Sequence, residues 1–339
     1  MEKDIAQSAT KGFDDILHII FTAKQNALRK VNEELVQMYW NVGHILNEQC
    51  KSAAYGDKYI DNVAAYIKGK HPELKGFTRR GLYRMKQFYE TYCNSQIVSP
   101  LVTQLPWTSH LLILSGCKTN EEKEFYIRLA IKERYSKREL ERQIDSGYYE
   151  RFVLSKNTLA PATTSKIKDN PFLDSYIIEF LDLPSSFSEK DFRKSLIQNM
   201  KEFVLEIGRD FSFVGEEYKV QVGLEDFYID LLFMHRELQC LVAIELKIGK
   251  FKPEYVSKMD FYLEALDRQV KKPHENPSVG LILCANKDDE VVEYAISRTL
   301  SPMMVAEYKT KLPDKAILRR KMQELISLEN AKITKEAGL

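Results

Sequence analysis

FYIDLLFMHRELQCLVAIELKIGKFKPEY, residues 227–255, decides how this chain folds. Two runs rich in aromatic and β-branched residues, "DFYIDLLFM" and "QCLVAIELK", flank a short polar step. Such runs favour strands. A hairpin turning at Glu237 and Leu238 sets Asp230 opposite Glu245. Side chains two apart share a strand face, so Glu245 and Lys247 lie together while Ile244 and Leu246 take the other side. An unpaired buried carboxylate costs several kcal/mol, so these acids need a partner, a metal or a role. Directly opposed residues have Cβ atoms about 4.5–5.5 Å apart, where two like charges call for a divalent cation or a shifted pKa. A structural ion pair with Lys247 on a wet edge is the plainer alternative, and spacing leaves both open.

The tripeptide Glu245-Leu246-Lys247 has a twin, Glu73-Leu74-Lys75, in "HPELKGF". That copy follows a proline in a helix-breaking stretch with no apolar strand around it. It reads as a solvated loop.

Outward from the hairpin, the second half alternates in period. "SEKDFRKSLIQNMKEFVLEIG" predicts one helix with Phe192, Leu196, Ile197, Met200, Phe203, Val204 and Ile207 inward. "FSFVGEEYKVQV" precedes the hairpin as a strand, and "SVGLILCA" and "MMVAEYK" follow it. Between them, "PEYVSKMDFYLEALDRQV" carries a helical stripe of Tyr255, Met259, Tyr262, Leu263 and Leu266, and "DDEVVEYAISR" a shorter helix. The order is that of an α/β domain.

The first half reads as helix throughout. Ile16, Ile19, Ile20, Leu28, Val31, Leu35, Val36, Tyr39 and Ile45 recur at helical spacing. Thr78 can cap "RRGLYRMKQFYETY", "WTSHLLIL" opens near Trp107, and Thr119/Glu122 and Ser136/Glu139 are capping boxes. The expected organisation is a helical DNA- or partner-binding domain over 1–152 and a Ser/Thr/Pro-rich linker over 153–171. An α/β domain over 172–311 and a charged helical tail over 312–339 complete it.

Composition bounds the partners. A net charge of +1 over 339 residues creates no global field, so any polyanion site must come from local clustering. Five scattered cysteines and six scattered histidines fit neither a disulfide framework nor a zinc knuckle, and Cys240 and Cys284 read as packed thiols. Acidic residues stand at the start where a signal peptide needs a basic start and an apolar run, and no stretch of about 18 apolar residues spans a membrane. The expectation is a reduced, cytoplasmic protein.

One chemistry wants an Asp, and one strand later a Glu and Lys two apart: metal-assisted hydrolysis of a phosphodiester. The pattern resembles the PD-(D/E)XK nuclease superfamily, whose αβββαβ core matches the element order. "FYIDLLFMHRELQCLVAIELKIGKFKPEY", "MDFYLEALD" and "ENPSVGLILC" resemble the bacterial YhcG family in particular. "ELVQMYWNVGHIL", "GFTRRGLYRMKQFYETY", "WTSHLLIL" and "YSKRELERQI" resemble that family's helical domain. The resemblance implies an α + α/β protein, an all-helical domain (winged-helix-like as one form of it) before the nuclease core. It further implies Mg²⁺ or Mn²⁺ held by Asp230, Glu245 and the Leu246 carbonyl, with Lys247 as catalytic lysine. Its implied activity is a metal-dependent DNA endonuclease in DNA processing, recombination or defence. Three positions depart from the family pattern: Arg193 stands where a Glu is usual, Glu217 where a Gln is usual, and Lys258, ahead of Tyr262, where many relatives have Gln. Those departures sustain a second reading, a non-catalytic DNA-binding or complex-assembly protein on a degenerate nuclease fold.

Candidate nucleic-acid contacts are Arg79, Arg80, Arg84 and Lys86 on an acid-free run, and Lys137 and Arg138 in a second, diluted cluster. A solvated basic face explains them equally well. DNA is the expected partner, with RNA open because a phosphodiester site does not name its sugar. Because an unregulated nuclease is toxic, a homodimer or a regulating partner is expected. His235, near the hairpin turn, reads as a solvated turn residue, with a general-acid role as the sharper alternative.

Overall fold

The computed structural model describes residues 2–52, 58–94, 101–158, 171–184 and 186–337, and the chain divides into two compact units, 1–144 and 145–339. Each is described by itself.

The first unit is helical, and no strand falls among its described residues, so no β-wing accompanies the helices there. Its helices are α1 (Glu2–Ser52), α2 (Lys58–Lys70), α3 (Arg79–Tyr92), α4 (Trp107–Gly116), α5 (Asn120–Lys132) and α6 (Lys137–Asp145), the last ending at the boundary. Thr78 caps α3 by accepting from the Gly81 N–H at 3.3 Å. Ser136 and Glu139 complete a reciprocal box at α6. At α5 the box is shifted: Thr119 accepts from Glu122 N–H, but the Glu122 carboxylate turns to the N–H of Lys118. The core forms where α1 meets α3, through Val36, Leu46, Leu82, Met85 and Phe88. Gly43 permits this approach, since a Cβ there would lie 2.2 Å from the Met85 carbonyl oxygen.

The second unit is a mixed six-stranded sheet in the order β1-β6-β5-β4-β3-β2 with helices on both faces. Its strands are β1 (Ser175–Ile177), β2 (Phe211–Val222), β3 (Glu225–His235), β4 (Cys240–Lys250), β5 (Asn276–Asn286) and β6 (Met303–Lys309). Around them lie α7 (Tyr148–Thr158), α8 (Glu189–Gln198), α9 (Met200–Ile207), α10 (Glu254–Gln269), α11 (Asp289–Ile296) and α12 (Lys315–Ala337). β2, β3 and β4 pair antiparallel, whereas β4, β5, β6 and β1 run parallel, joined through α10 and α11. Apolar side chains of alternate strand residues fill two layers. Phe192, Phe203, Leu231, Phe233, Ile244 and Leu246 lie on one face, and Ile229, Leu232, Ala243, Met259, Tyr262 and Leu266 on the other.

Two expectations change. The helix read over 188–208 is two helices, because Asn199 (φ −110°, ψ 33°) leaves the helical region, with its side-chain amide donating back to the Ser195 carbonyl. The stretch read as linker from residue 153 begins as helix: α7 runs to Thr158, and residues 159–170 lie outside the described residues. Helix α7 lies within the second compact unit. Arg151 is buried in the second unit, where its guanidinium meets Glu206 at 2.8 Å and the carbonyls of Ser146 and Ser175. The tail helix α12 packs on α7, with Arg319 donating to the buried Glu150 at 2.9 Å.

Candidate active site

β3 and β4 pair from His235–Cys240 as far as Leu231–Ile244, in the register that sets Asp230 opposite Glu245. Beyond Leu231 the two strands part, while each keeps its outer neighbour. Asp230 sits in this fork, its Oδ2 accepting the Leu246 N–H at 2.9 Å. On the other side, the pairing of Glu216 with Leu231 and Tyr218 with Ile229 sets Glu217 opposite Asp230. Glu217 has φ +42°, a conformation non-glycine residues seldom adopt, as befits a local irregularity in the ladder. Glu217, Asp230 and Glu245 thus form a row of acids across three adjacent strands.

Cations interleave with the row. Arg193, on α8, forks between Asp230 Oδ1 at 2.9 Å and Glu217 Oε1 at 2.6 Å. Lys247 Nζ lies 2.9 Å from Glu245 Oε1, 3.2 Å from Glu189 Oε2 and 3.1 Å from its neighbour's Leu246 carbonyl oxygen. Lys258, on α10, also donates to Glu245 Oε1 and lies over the Tyr262 ring. Tyr262 donates its hydroxyl to the Tyr228 carbonyl at 2.7 Å. Burial opposes the charge on Lys247, but the Glu245 and Glu189 carboxylates outweigh it and hold its pKa above the usual value. Lys258 follows the same pattern, with burial overcome by its hydrogen bond to Glu245. Both are ammonium ions at neutral pH.

Glu245 is 2 % exposed, and its second oxygen, Oε2, is buried with no hydrogen-bond partner among the described residues. An orphaned carboxylate oxygen beside a facing aspartate fits a hard divalent cation, which takes oxygen ligands. The described residues contain no group of three or more His, Cys, Asp or Glu side chains placed to hold a metal. Two carboxylates supplemented by a main-chain carbonyl are the donor set present.

The sequence-derived residues Asp230, Glu245, Leu246, Lys247, Glu217, Lys258 and Tyr262 therefore come together at one edge of the sheet. Glu189 was not among them. Its signal was the i, i+4 spacing from Arg193, which puts both on one face of α8. His235 does not join the site. It is buried on the opposite face against Phe211, its Nδ1 accepting the Leu238 N–H at 3.1 Å, so it is not the solvated turn residue expected. Glu73-Leu74-Lys75 is an exposed loop, with Glu73 beside His71. Cys240 and Cys284 are buried thiols pushed up to about 11 by desolvation.

In the helical unit, Arg80, Arg84 and Lys137 line one cavity of about 450 Å³ beside Thr78, Trp107 and Ser115. Two basic clusters far apart in sequence meet there. Arg79 is engaged elsewhere, ion-paired with Asp61 at 2.5 Å and stacked over Tyr83. Lys86 pairs with Glu90 at 2.7 Å, and Arg138 is exposed outside this cavity.

The mixed sheet with helices on both faces is the fold of the PD-(D/E)XK nuclease class. The family model described as the YhcG PDDEXK nuclease domain matches residues 169–323, and that of the DUF1016 N-terminal domain matches residues 15–151. Over 96% of its length the chain is 30% identical to YhcG of Escherichia coli (strain K12), covering 96% of that protein. The chain belongs to the YhcG family. A crystal structure of a repair endonuclease from Pyrococcus abyssi aligns over 39% of this chain and 50% of its own, at 14% identity and a TM-score of 0.26, too slight a likeness to argue from. No described helix is long and apolar enough to cross a membrane.

Proposed function

We propose that the protein is a metal-dependent endonuclease that hydrolyses DNA, with its catalytic centre at the fork between β3 and β4. The observation that carries the reading is the orphaned Oε2 of Glu245, a buried carboxylate whose place in the strand register is opposite Asp230 across the fork. Asp230, Glu245 and the Leu246 carbonyl would hold Mg²⁺ or Mn²⁺. When bound, the cation would lower the pKa of a coordinated water and neutralise charge on the scissile phosphate. Lys247, held by Glu245 and Glu189, aims an ammonium at the same place, where it orients the attacking water and stabilises the phosphorane as charge grows. Lys258 and Tyr262 support Glu245 from α10, and Glu217 lies within reach of the strand through Arg193.

Arg80, Arg84 and Lys137 are the phosphate contacts we favour, with Arg79, Lys86 and Arg138 as lesser contributors. Replacing Arg80 and Arg84 together by alanine is expected to weaken binding to all DNA sequences alike. The slope of log affinity against log salt should fall by roughly one for each arginine, read by fluorescence anisotropy. Five cysteines in no disulfide and a bacterial relative suit a cytoplasmic setting, in DNA processing, recombination or defence.

A second reading has one observation in its favour. Arg193 already neutralises Asp230, so the fold tolerates the acid without a metal, as a retired nuclease would. Arg193→Gln separates the two: in an active enzyme it should tighten Mn²⁺ binding by about tenfold, since one competing cation is gone. The proposed function itself is tested on supercoiled plasmid, branched DNA and a matched RNA, in Mg²⁺, Mn²⁺ and chelator. Metal-dependent nicking of DNA supports it. Cutting of RNA alone would reassign the substrate, and metal-independent DNA binding without cutting would favour the retired fold.

A further inference from the structure

α1 is 51 residues long, yet the core of its own unit claims only its C-terminal part. Every described side chain from Ile16 to Val31 is exposed, and many are large and apolar: Phe21 is 58 % and Leu28 62 % exposed. Apolar surface on this scale marks an interaction site. The spacing says what kind. Leu28, Val31, Leu35, Met38, Val42 and Ile45 follow at alternating steps of three and four. The same steps lead back through Lys24 to Phe21 and Leu17. This is the a/d repeat of two helices wound about each other, with a period of 3.5 residues. The seam runs beside the buried face rather than through it: Leu35 and Ile45 are exposed, and Met38 and Val42 are half-buried.

We infer that this seam is a dimer interface, occupied by α1 of a second copy running antiparallel. In that register Phe21 of one copy lies against Ile45 of the other, Leu28 against Met38 and Val31 against Leu35. The projecting arm of each chain then covers the exposed seam beside the other's core. Phe21 to Ile45 spans about 36 Å of helix, enough for more than three heptads. Charge selects the direction. Lys24 is the one charged seam position from Leu17 to Ile45. A parallel twin would stack two ammonium groups in the seam, whereas the antiparallel register sets Lys24 against Val42. The positions flanking the seam, His18, Ile20, Gln25, Ala27, Asn32, Glu34 and Asn41, carry one acid and no lysine or arginine, so an oppositely charged partner finds little to hold and the apolar seam is best covered by its own twin.

The test uses sedimentation of the full chain. Wild type is expected at twice the 39.5 kDa chain mass. Phe21→Glu with Leu28→Glu should sediment as a monomer, its dissociation constant raised at least about a hundredfold. Both positions are exposed, so circular dichroism should show an intact core. Asn26→Glu, on the far side of the helix, should leave the dimer unchanged. Oxidation of a Phe21→Cys, Ile45→Cys chain should close a covalent dimer, and Lys24→Cys alone should add nothing to the wild-type background. A wild type that is monomeric at every concentration would overturn the interface, as would a dimer indifferent to the glutamates. Ready closure of Lys24→Cys on its twin would overturn the antiparallel pairing.

Discussion

Replacing Lys247 by alanine is expected to lower plasmid cleavage by about 10²–10³-fold while the protein stays folded. The loss follows from position. The Lys247 ammonium stands 2.9 Å from Glu245 and 3.1 Å from the Leu246 carbonyl, beside both the carboxylate and the main-chain oxygen assigned to the metal. An ammonium fixed there costs no reorganisation when charge develops on the phosphate. Stability survives because Lys258 still donates to Glu245 Oε1, so the buried carboxylate keeps a cation. Lys247→Arg should rescue little, since a planar guanidinium cannot place one donor among Glu245, Glu189 and the Leu246 oxygen as an ammonium does. Single-turnover cleavage and thermal melting, read on the same preparations, check both halves. Cleavage by Lys247→Ala within threefold of wild type would remove the lysine from the mechanism.

The largest effect on stability is expected at Glu206. This residue is fully buried and holds two groups at once, the Arg151 guanidinium at 2.8 Å and the Ile177 N–H at 2.8 Å. Arg151 is 2 % exposed and also donates to Ser146 and Ser175. Glu206→Ala leaves a buried guanidinium without its counter-charge, which costs about 3–5 kcal/mol. For a unit of this size that is a fall in Tm of roughly 6–20 °C by calorimetry. Joint replacement by Arg151→Met and Glu206→Leu should recover part of the loss but not all. The Ile177 N–H and the Ser175 carbonyl would remain without the partners this pair provides. A shift under about 2 °C in Glu206→Ala would contradict the buried-pair account.

The hairpin was legible because strand chemistry has a period of two: two apolar runs, each broken by an acid, fix which residues share a face and which oppose. The placement of Asp230, Glu245 and Lys247 on neighbouring strands needed nothing more, while the roles proposed for them came from the family resemblance. Helix α10 was legible for the same kind of reason, its stripe of Met259, Tyr262, Leu263 and Leu266 being buried as spaced. What failed was non-local. Arg193 reads in sequence only as a missing acid, and its grip on Asp230 and Glu217 depends on how α8 crosses the sheet edge. Glu189 escaped notice because a first-turn glutamate is ordinary helix chemistry until Lys247 is brought beside it. The packing of α7 into the second unit did not show, because Arg151 finds its partner 55 residues away and no local composition marks a buried arginine. β1, three residues long, carries too few side chains for a period to show.

The central claim, that Asp230 and Glu245 form a metal centre, is tested most directly by Mn²⁺ binding in the absence of nucleic acid. Titration calorimetry on wild type, Asp230→Ala and Glu245→Ala, each checked for folding, gives the answer. The account predicts saturable binding by wild type that disappears in both variants. Equal binding by all three, or none by a folded wild type even with Arg193→Gln in place, would contradict it.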